Sequence, residues 1–211
     1  MNFYLSLIAC YLIGGIPFGL FAGYLAGVGN IRTQGSKNIG ATNVWRVAGA
    51  GWGIMAFACD IAKGVAAVLL SRLLYQPIWP VSMAGGALAT GLAAILGHTF
   101  SPYLRFRGGK GVSTALGVFI TVTPLEIAAA LAVFLIALAA FRYISLASMA
   151  AAITFALAVW GERFVLNKPV EASYLLCAIL VPALILYTHR GNIRRLVRGT
   201  EARFQMRKGS S

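Results

Sequence analysis

A chain of 211 residues that is 59% hydrophobic, only 11% charged and of mean hydropathy +0.81 carries more apolar surface than a soluble core of that size can bury. Its 18 Lys and Arg against 5 Asp and Glu give a net charge of +13. In a soluble protein that excess points to nucleic acid; here the cations lie between long uncharged runs, so they are read as orientation signals and contacts for membrane lipid, with no nucleic-acid partner.

The apolar segments run over 3–25, 50–74, 82–99, 112–123, 126–141, 145–160 and 171–187. They do not alternate in polarity, which excludes a β-barrel, and backbone in lipid must then be helical. The first three are long enough to span, since about 20 residues suffice. Segment 112–123 is short and stops at Pro124, and the fifth and sixth are marginal. The expectation is an all-α integral membrane protein, a thin or tilted seven-transmembrane-helix bundle. Fourteen of the 18 cations fall in the odd connections and the C-terminal tail. That bias predicts an outside N-terminus and a cytoplasmic C-terminus.

Cys10, Cys59 and Cys177 each sit inside an apolar run with no metal-like spacing, and read as small buried hydrophobes. Asp60 and Lys63 are charges inside the second segment, neighbours on a helix at i and i+3. They fit a structural ion pair, or support beneath a site at the cytoplasmic end.

Two connections predicted to be cytoplasmic share a style. Residues 35–46, GSKNIGATNVWR, supply Ser36, Asn38, Gly40, Thr42, Asn43 and Arg46; residues 105–114 supply Gly108, Gly109, Lys110 and Gly111. Across 27–47 and 100–114 there are six cations and no carboxylate. Glycines turn the backbone sharply and expose N–H groups, and Lys and Arg add charge-assisted donors. Each connection feeds a segment whose positive N-terminal end points at the cytoplasmic face, as does the sixth segment at Ser145. The pattern reads as a cradle for an oxyanion, with phosphate the expected one. It is not a nucleoside-triphosphate loop: Ala41 stands where that motif needs lysine, Gly111 follows Lys110, and no acidic magnesium ligand is near.

His98 ends the third segment, and His189 and Asn192 lie one helical turn apart after the last. There is no His-x-x-x-x-Asp, because Tyr103 takes the acid position, and no G-x-S-x-G or His/Cys cluster. No metal, no cofactor and no protein-supplied base are therefore expected, with His98 and His189 the remaining candidates for proton transfer. A transporter or channel for organic phosphates is the alternative, but its cations should line a path near the membrane midplane.

GSKNIGATN, then GH followed by FRGGKG, then HRGNI after the last segment resemble, in order and spacing, the three cytoplasmic motifs of the acyl-phosphate-dependent glycerol-3-phosphate acyltransferases, the PlsY family. In the third motif Gly191 stands where glutamate is more usual. The resemblance implies a seven-helix bacterial inner-membrane enzyme with its site on the cytoplasmic face. It implies transfer of a fatty acyl group from acyl phosphate to the 1-hydroxyl of glycerol 3-phosphate, the first acylation of phospholipid synthesis. Lysophosphatidic acid and inorganic phosphate are the products, and an acyl-phosphate-producing enzyme is a possible partner. Ser36, Arg46 and Lys110 resemble the family's phosphate-binding residues. His189 and Asn192 resemble those that position glycerol 3-phosphate, and the glycines of GGKG the loop around the acyl phosphate. Residues 1–199 are expected to form one membrane-embedded domain, with 200–211 a basic tail.

Overall fold

The computed structural model describes residues 3–74 and 82–205, and all regular structure within them is helical. The chain forms two compact units, Met1–Thr123 and Pro124–Ser211.

In the first unit α1 (Phe3–Gly15) and α2 (Phe18–Leu25) make up the first apolar segment, broken at Ile16-Pro17. Pro17 has no N–H to continue the ladder, and its carbonyl restarts it by accepting from Leu20 at 2.9 Å. A 3₁₀ turn at Ile31–Thr33 and α3 (Ala41–Ala48) follow. Then come α4 (Ala50–Leu74), α5 (Met83–Thr99), a second 3₁₀ turn at Pro102–Leu104 and α6 (Val112–Val122). Helix α4 is central and packs on α1, α2, α3, α5 and α6, while α1 lies along α5. Lipid supplies no hydrophobic drive between helices, so the backbones approach through glycine. A Cβ at Gly14 would strike the Ala94 carbonyl on α5, and one at Gly117 would strike the Ile61 carbonyl on α4.

In the second unit α8 (Ile144–Phe164) packs between α7 (Pro124–Phe141) and α9 (Ala172–Thr188). The chain then bends by 58° into α10 (Arg190–Val197).

All seven apolar segments are helical, but they differ as spans. Five stretches are long and apolar enough to cross a bilayer among the described residues: Phe3–Leu25, Ala50–Leu73, Met83–Leu104, Pro124–Phe141 and Ile144–Phe164. The bent pair α9–α10 makes a sixth if taken as one span. Helix α6 has 11 residues, about 16 Å at 1.5 Å each, against a hydrocarbon core about 30 Å thick. The large apolar side chains left exposed on these helices, such as Leu5, Ile8, Ile54, Leu135 and Leu157, suit a lipid surround. Sequence periodicity missed α3, which begins inside the stretch read as a loop. Arg207 and Lys208 of the expected tail lie outside the described residues.

Candidate active site

The first basic segment is organised by one amide. Asn43, in the first turn of α3, is 1% exposed. Its NH2 shares two hydrogens among the carbonyls of Ile31 (3.0 Å), Gln34 (3.1 Å) and Asn38 (2.8 Å). Its Oδ1 accepts the Ser36 N–H at 2.7 Å, and a Cβ on Gly35 would run into that oxygen. Asn38 in turn accepts the Gly40 N–H at 2.9 Å, an Asx turn that leads into α3. Ile31, Ile39 and Val44 anchor the segment in a core shared with Ala22, Ala56 and Leu104. The outcome differs from the expectation for Asn43: its polar atoms hold the backbone of residues 31–38. Ser36, Lys37 and Arg46 remain at the surface.

The second segment is pinned to the end of α5. Gly108 donates its N–H to the Thr99 carbonyl and Gly109 to that of His98, each at 3.0 Å. Those two amides are therefore spent, and the expectation that both glycines offer N–H groups to an anion is corrected. Their role is close approach: a Cβ on Gly108 would strike the His98 carbonyl, and one on Gly109 the His98 ring at Nε2. Gly111 caps α6 at φ +82°, a left-handed conformation that favours glycine. Lys110 also stands at this loop, together with the first amides of α6, which have no partner within their own helix. Thr99 Oγ1 is buried without a hydrogen-bond partner among the described residues. Leu104, just before this loop, packs in the cluster that anchors the first segment, so both basic segments rest on one core.

Beneath the glycine loop lies a charged group. Lys63 Nζ is 2.7 Å from Asp60 Oδ1, 2.8 Å from His98 Nδ1 and 3.1 Å from the Ile16 carbonyl. All three side chains are nearly inaccessible. The ion pair expected from spacing is present, with His98 as a third member.

In the second unit Ser145 and Asn192 meet on a carboxylate absent from the sequence reading. Glu201 Oε1 accepts from Ser145 Oγ at 2.7 Å and from Asn192 Nδ2 at 2.6 Å; Oε2 accepts from Arg195 Nε at 2.7 Å. Burial pushes the Glu201 carboxyl up, but the Asn192, Ser145 and Arg195 donors outweigh it and hold it below the usual carboxylate range. The segment around Glu201 folds back, with the Phe204 N–H on the Arg142 carbonyl at 2.6 Å and Arg203 Nε 3.3 Å from the Tyr143 hydroxyl. The part of the expected tail that is described is thus tied down. The sequence sought an acid at position 191, and the fold brings one from position 201. Its only signal was being the single acid among the tail's cations. His189 is buried, with Nδ1 2.8 Å from the Ile185 carbonyl one turn back. The carbonyl can only accept, so Nδ1 carries the proton and donates it, which makes Nε2 the acceptor nitrogen of the neutral ring. Among the described residues no three His, Cys, Asp or Glu side chains are grouped to hold a metal.

Residues 4–199 match the family model described as glycerol-3-phosphate acyltransferase. The chain belongs to that family. It is an acyltransferase and an integral membrane protein. A glycerol-3-phosphate acyltransferase of Geotalea daltonii is 47% identical over 202 residues, covering 94% of this chain and 96% of the relative. Two solved structures are similar over nearly the full length. One is the glycerol 3-phosphate form of PlsY (YgiH), an integral membrane glycerol 3-phosphate acyltransferase, with TM-score 0.84, 38% identity and 96% coverage of each chain. The other is its lysophosphatidic acid form, with TM-score 0.81, 37% identity, 97% of this chain and 96% of that one. The two basic segments described above therefore belong to an enzyme similar to one solved in a glycerol 3-phosphate form.

Proposed function

We propose that this acyltransferase moves a fatty acyl group from acyl phosphate to the 1-hydroxyl of sn-glycerol 3-phosphate, yielding 1-acyl-glycerol 3-phosphate and inorganic phosphate. The observation that carries the reading is its full-length likeness to an acyltransferase solved with glycerol 3-phosphate and with lysophosphatidic acid. Two basic, carboxylate-free segments on one core supply a physical reason: both substrates are phosphates.

An acyl phosphate is a mixed anhydride and is already activated. The hydroxyl oxygen of glycerol 3-phosphate forms a bond to the acyl carbon. The bond from that carbon to the phosphate oxygen breaks, and its electron pair leaves with phosphate. A phosphate oxygen takes the hydroxyl proton, so neither metal nor protein base is needed. Ser36, Arg46 and Lys110 grip phosphate, while Gly108, Gly109 and Gly111 shape the loop around the acyl phosphate. His189 and Asn192 position glycerol 3-phosphate, and Glu201 sets the amide of Asn192. Gripping two phosphates while aligning hydroxyl and carbonyl supplies rate through proximity and fixed charge.

The surroundings follow from the charge bias. Seven membrane passages across one domain of 1–199 put the basic segments at the cytoplasmic face of a bacterial inner membrane, with the N-terminus outside. An acyl-phosphate-producing enzyme supplies the donor there. Purified protein in detergent should release phosphate only when acyl phosphate and glycerol 3-phosphate are both present. Acyl-CoA or acyl carrier protein should not replace the donor. No release in detergent, with uptake of glycerol 3-phosphate into sealed vesicles, would make the chain a transporter instead.

A further inference from the structure

The group beneath the glycine loop has a geometry that fixes a tautomer. An ammonium has three N–H donors and no acceptor. Lys63 Nζ meets three acceptors on three elements: Asp60 Oδ1 on α4 at 2.7 Å, the Ile16 carbonyl at the α1–α2 break at 3.1 Å, and His98 Nδ1 at the end of α5 at 2.8 Å. Two of the donors make hydrogen bonds, to the Ile16 carbonyl and to His98 Nδ1. The Asp60 contact is an ion pair, Asp60 Oδ1 having no hydrogen-bond partner among the described residues and lying 3.6 Å from Nδ1, beyond hydrogen-bond reach. Nδ1 facing an ammonium must accept, so the ring proton of His98 sits on Nε2. That same Nε2 lies where a Cβ on Gly109 would be, and the His98 carbonyl holds the Gly109 N–H at 3.0 Å. The ring edge that carries the proton is therefore turned to the glycine loop, one residue from Lys110.

We propose that Lys63, anchored by Asp60, fixes His98 as its Nε2–H tautomer, and that the fixed ring positions the Gly108–Lys110 backbone for the phosphate it receives. Asp60 and Lys63 act through another residue, so they are positioning residues. A charge pair kept at 2% exposure inside a span needs a reason, because apolar residues of similar volume often replace such pairs at little cost to stability. Setting the ring is that reason. The carboxylate holds the ammonium, the ammonium sets the ring proton, and the ring proton faces the loop. A swap of the two ring nitrogens would place a lone pair against the loop and leave two donors, Lys63 Nζ and Nδ1–H, facing each other.

The inference rests on the reading of this loop as the acyl-phosphate site, which wild-type turnover tests separately. The decisive variant is the double substitution Asp60→Leu with Lys63→Met, which removes both charges together. It should fold in detergent micelles with a melting temperature near wild type. The ring ¹⁵N shifts of His98 should report Nε2–H in the wild type and a mixture of tautomers in the variant. KM for acyl phosphate should rise about tenfold or more, as for a lost hydrogen bond to a charged group, with a smaller change in kcat. If the double variant fails to fold, a second pair decides. His98→Gln puts an amide NH2 near the place of Nε2–H and should keep more affinity for acyl phosphate than His98→Asn, whose amide stands in for Nδ1. A folded double variant with wild-type KM, equal losses in Gln and Asn, or Nδ1–H in the wild type each overturns the proposal.

Discussion

Glu201 Oε1 accepts the Ser145 hydroxyl at 2.7 Å and, from the other side, the Asn192 amide at 2.6 Å. One oxygen thus joins the first turn of α8 to α10. Glu201→Ala leaves both donors and Arg195 without their acceptor. Removing one acceptor of charge-assisted bonds should lower stability by about 2 kcal/mol and reduce kcat/KM through Asn192. Glu201→Gln keeps an oxygen for Ser145 and Asn192 but loses the pairing with Arg195, so it should fall between. Thermal melts in micelles together with initial rates check this. A wild-type melt and rate for Glu201→Ala would remove Glu201 from the account.

The same carboxyl predicts a pH dependence with a definite sign. Its folded-state pKa is lowered, so the stabilisation it gives is present above the ordinary glutamate value, about 4.3. It is lost as pH falls below that value toward the folded-state pKa. Near neutral pH the contribution is complete. Wild type and Glu201→Gln should therefore converge in melting temperature as the sample is acidified below about pH 4.3. Convergence on raising the pH would contradict the assignment.

Lys110 and Arg46 test the cradles. Each alanine variant should lose about 2 kcal/mol of transition-state stabilisation, roughly thirtyfold in kcat/KM. Arg194, exposed on α10, should change little when made alanine. Steady-state kinetics on monodisperse protein separates the two cases. Small and equal effects at all three positions would reduce the cradles to orientation signals.

Two glycines test close packing without any change of charge. Gly109→Ala should lose activity because its Cβ meets the His98 ring, whereas a Cβ on Gly51 in α4 meets nothing within 4 Å. Gly51→Ala should hold activity and gain about 0.5–1 kcal/mol of stability from helix propensity. An active Gly109→Ala enzyme would show that the loop tolerates a side chain where the structure leaves none.

Orientation has its own test. After the native cysteines are replaced, a cysteine at Asn167 should react with an impermeant maleimide on intact cells. One at Arg105 should react only after permeabilisation. Labelling of Arg105 from outside would invert the topology.

The helical segments were legible because lipid permits little else: an uncharged run of sufficient length must close its own hydrogen bonds. The Asp60–Lys63 pair was legible for a similar local reason, since i,i+3 spacing fixes proximity on a helix. Ser36, Arg46, Lys110, His189 and Asn192 stood out as motif residues. Their surroundings did not. Asn43 looks like a ligand in GATN, and only the path of residues 31–38 around it reveals that its amide is already occupied. Gly108 and Gly109 look like open amides until the end of α5 lies beside them. Glu201 was unreadable because its partners are 56, nine and six positions away in the chain. Such pairings are made by tertiary approach, and local pattern carries no trace of them.

The order in which Ser145, Asn192, Arg195 and Glu201 leave the ribosome follows from their positions. The acceptor emerges after every donor it will serve. Until it does, the Ser145 hydroxyl and the Asn192 amide lack the acceptor they share, and α10 lacks this tie to α8. A chain released early, with its helices already in the membrane, would therefore be inserted without this tie and, like Glu201→Ala, less stable and less active. Full stability comes with the last few residues of this cluster, which separates the moment of membrane integration from the moment α8 and α10 are tied.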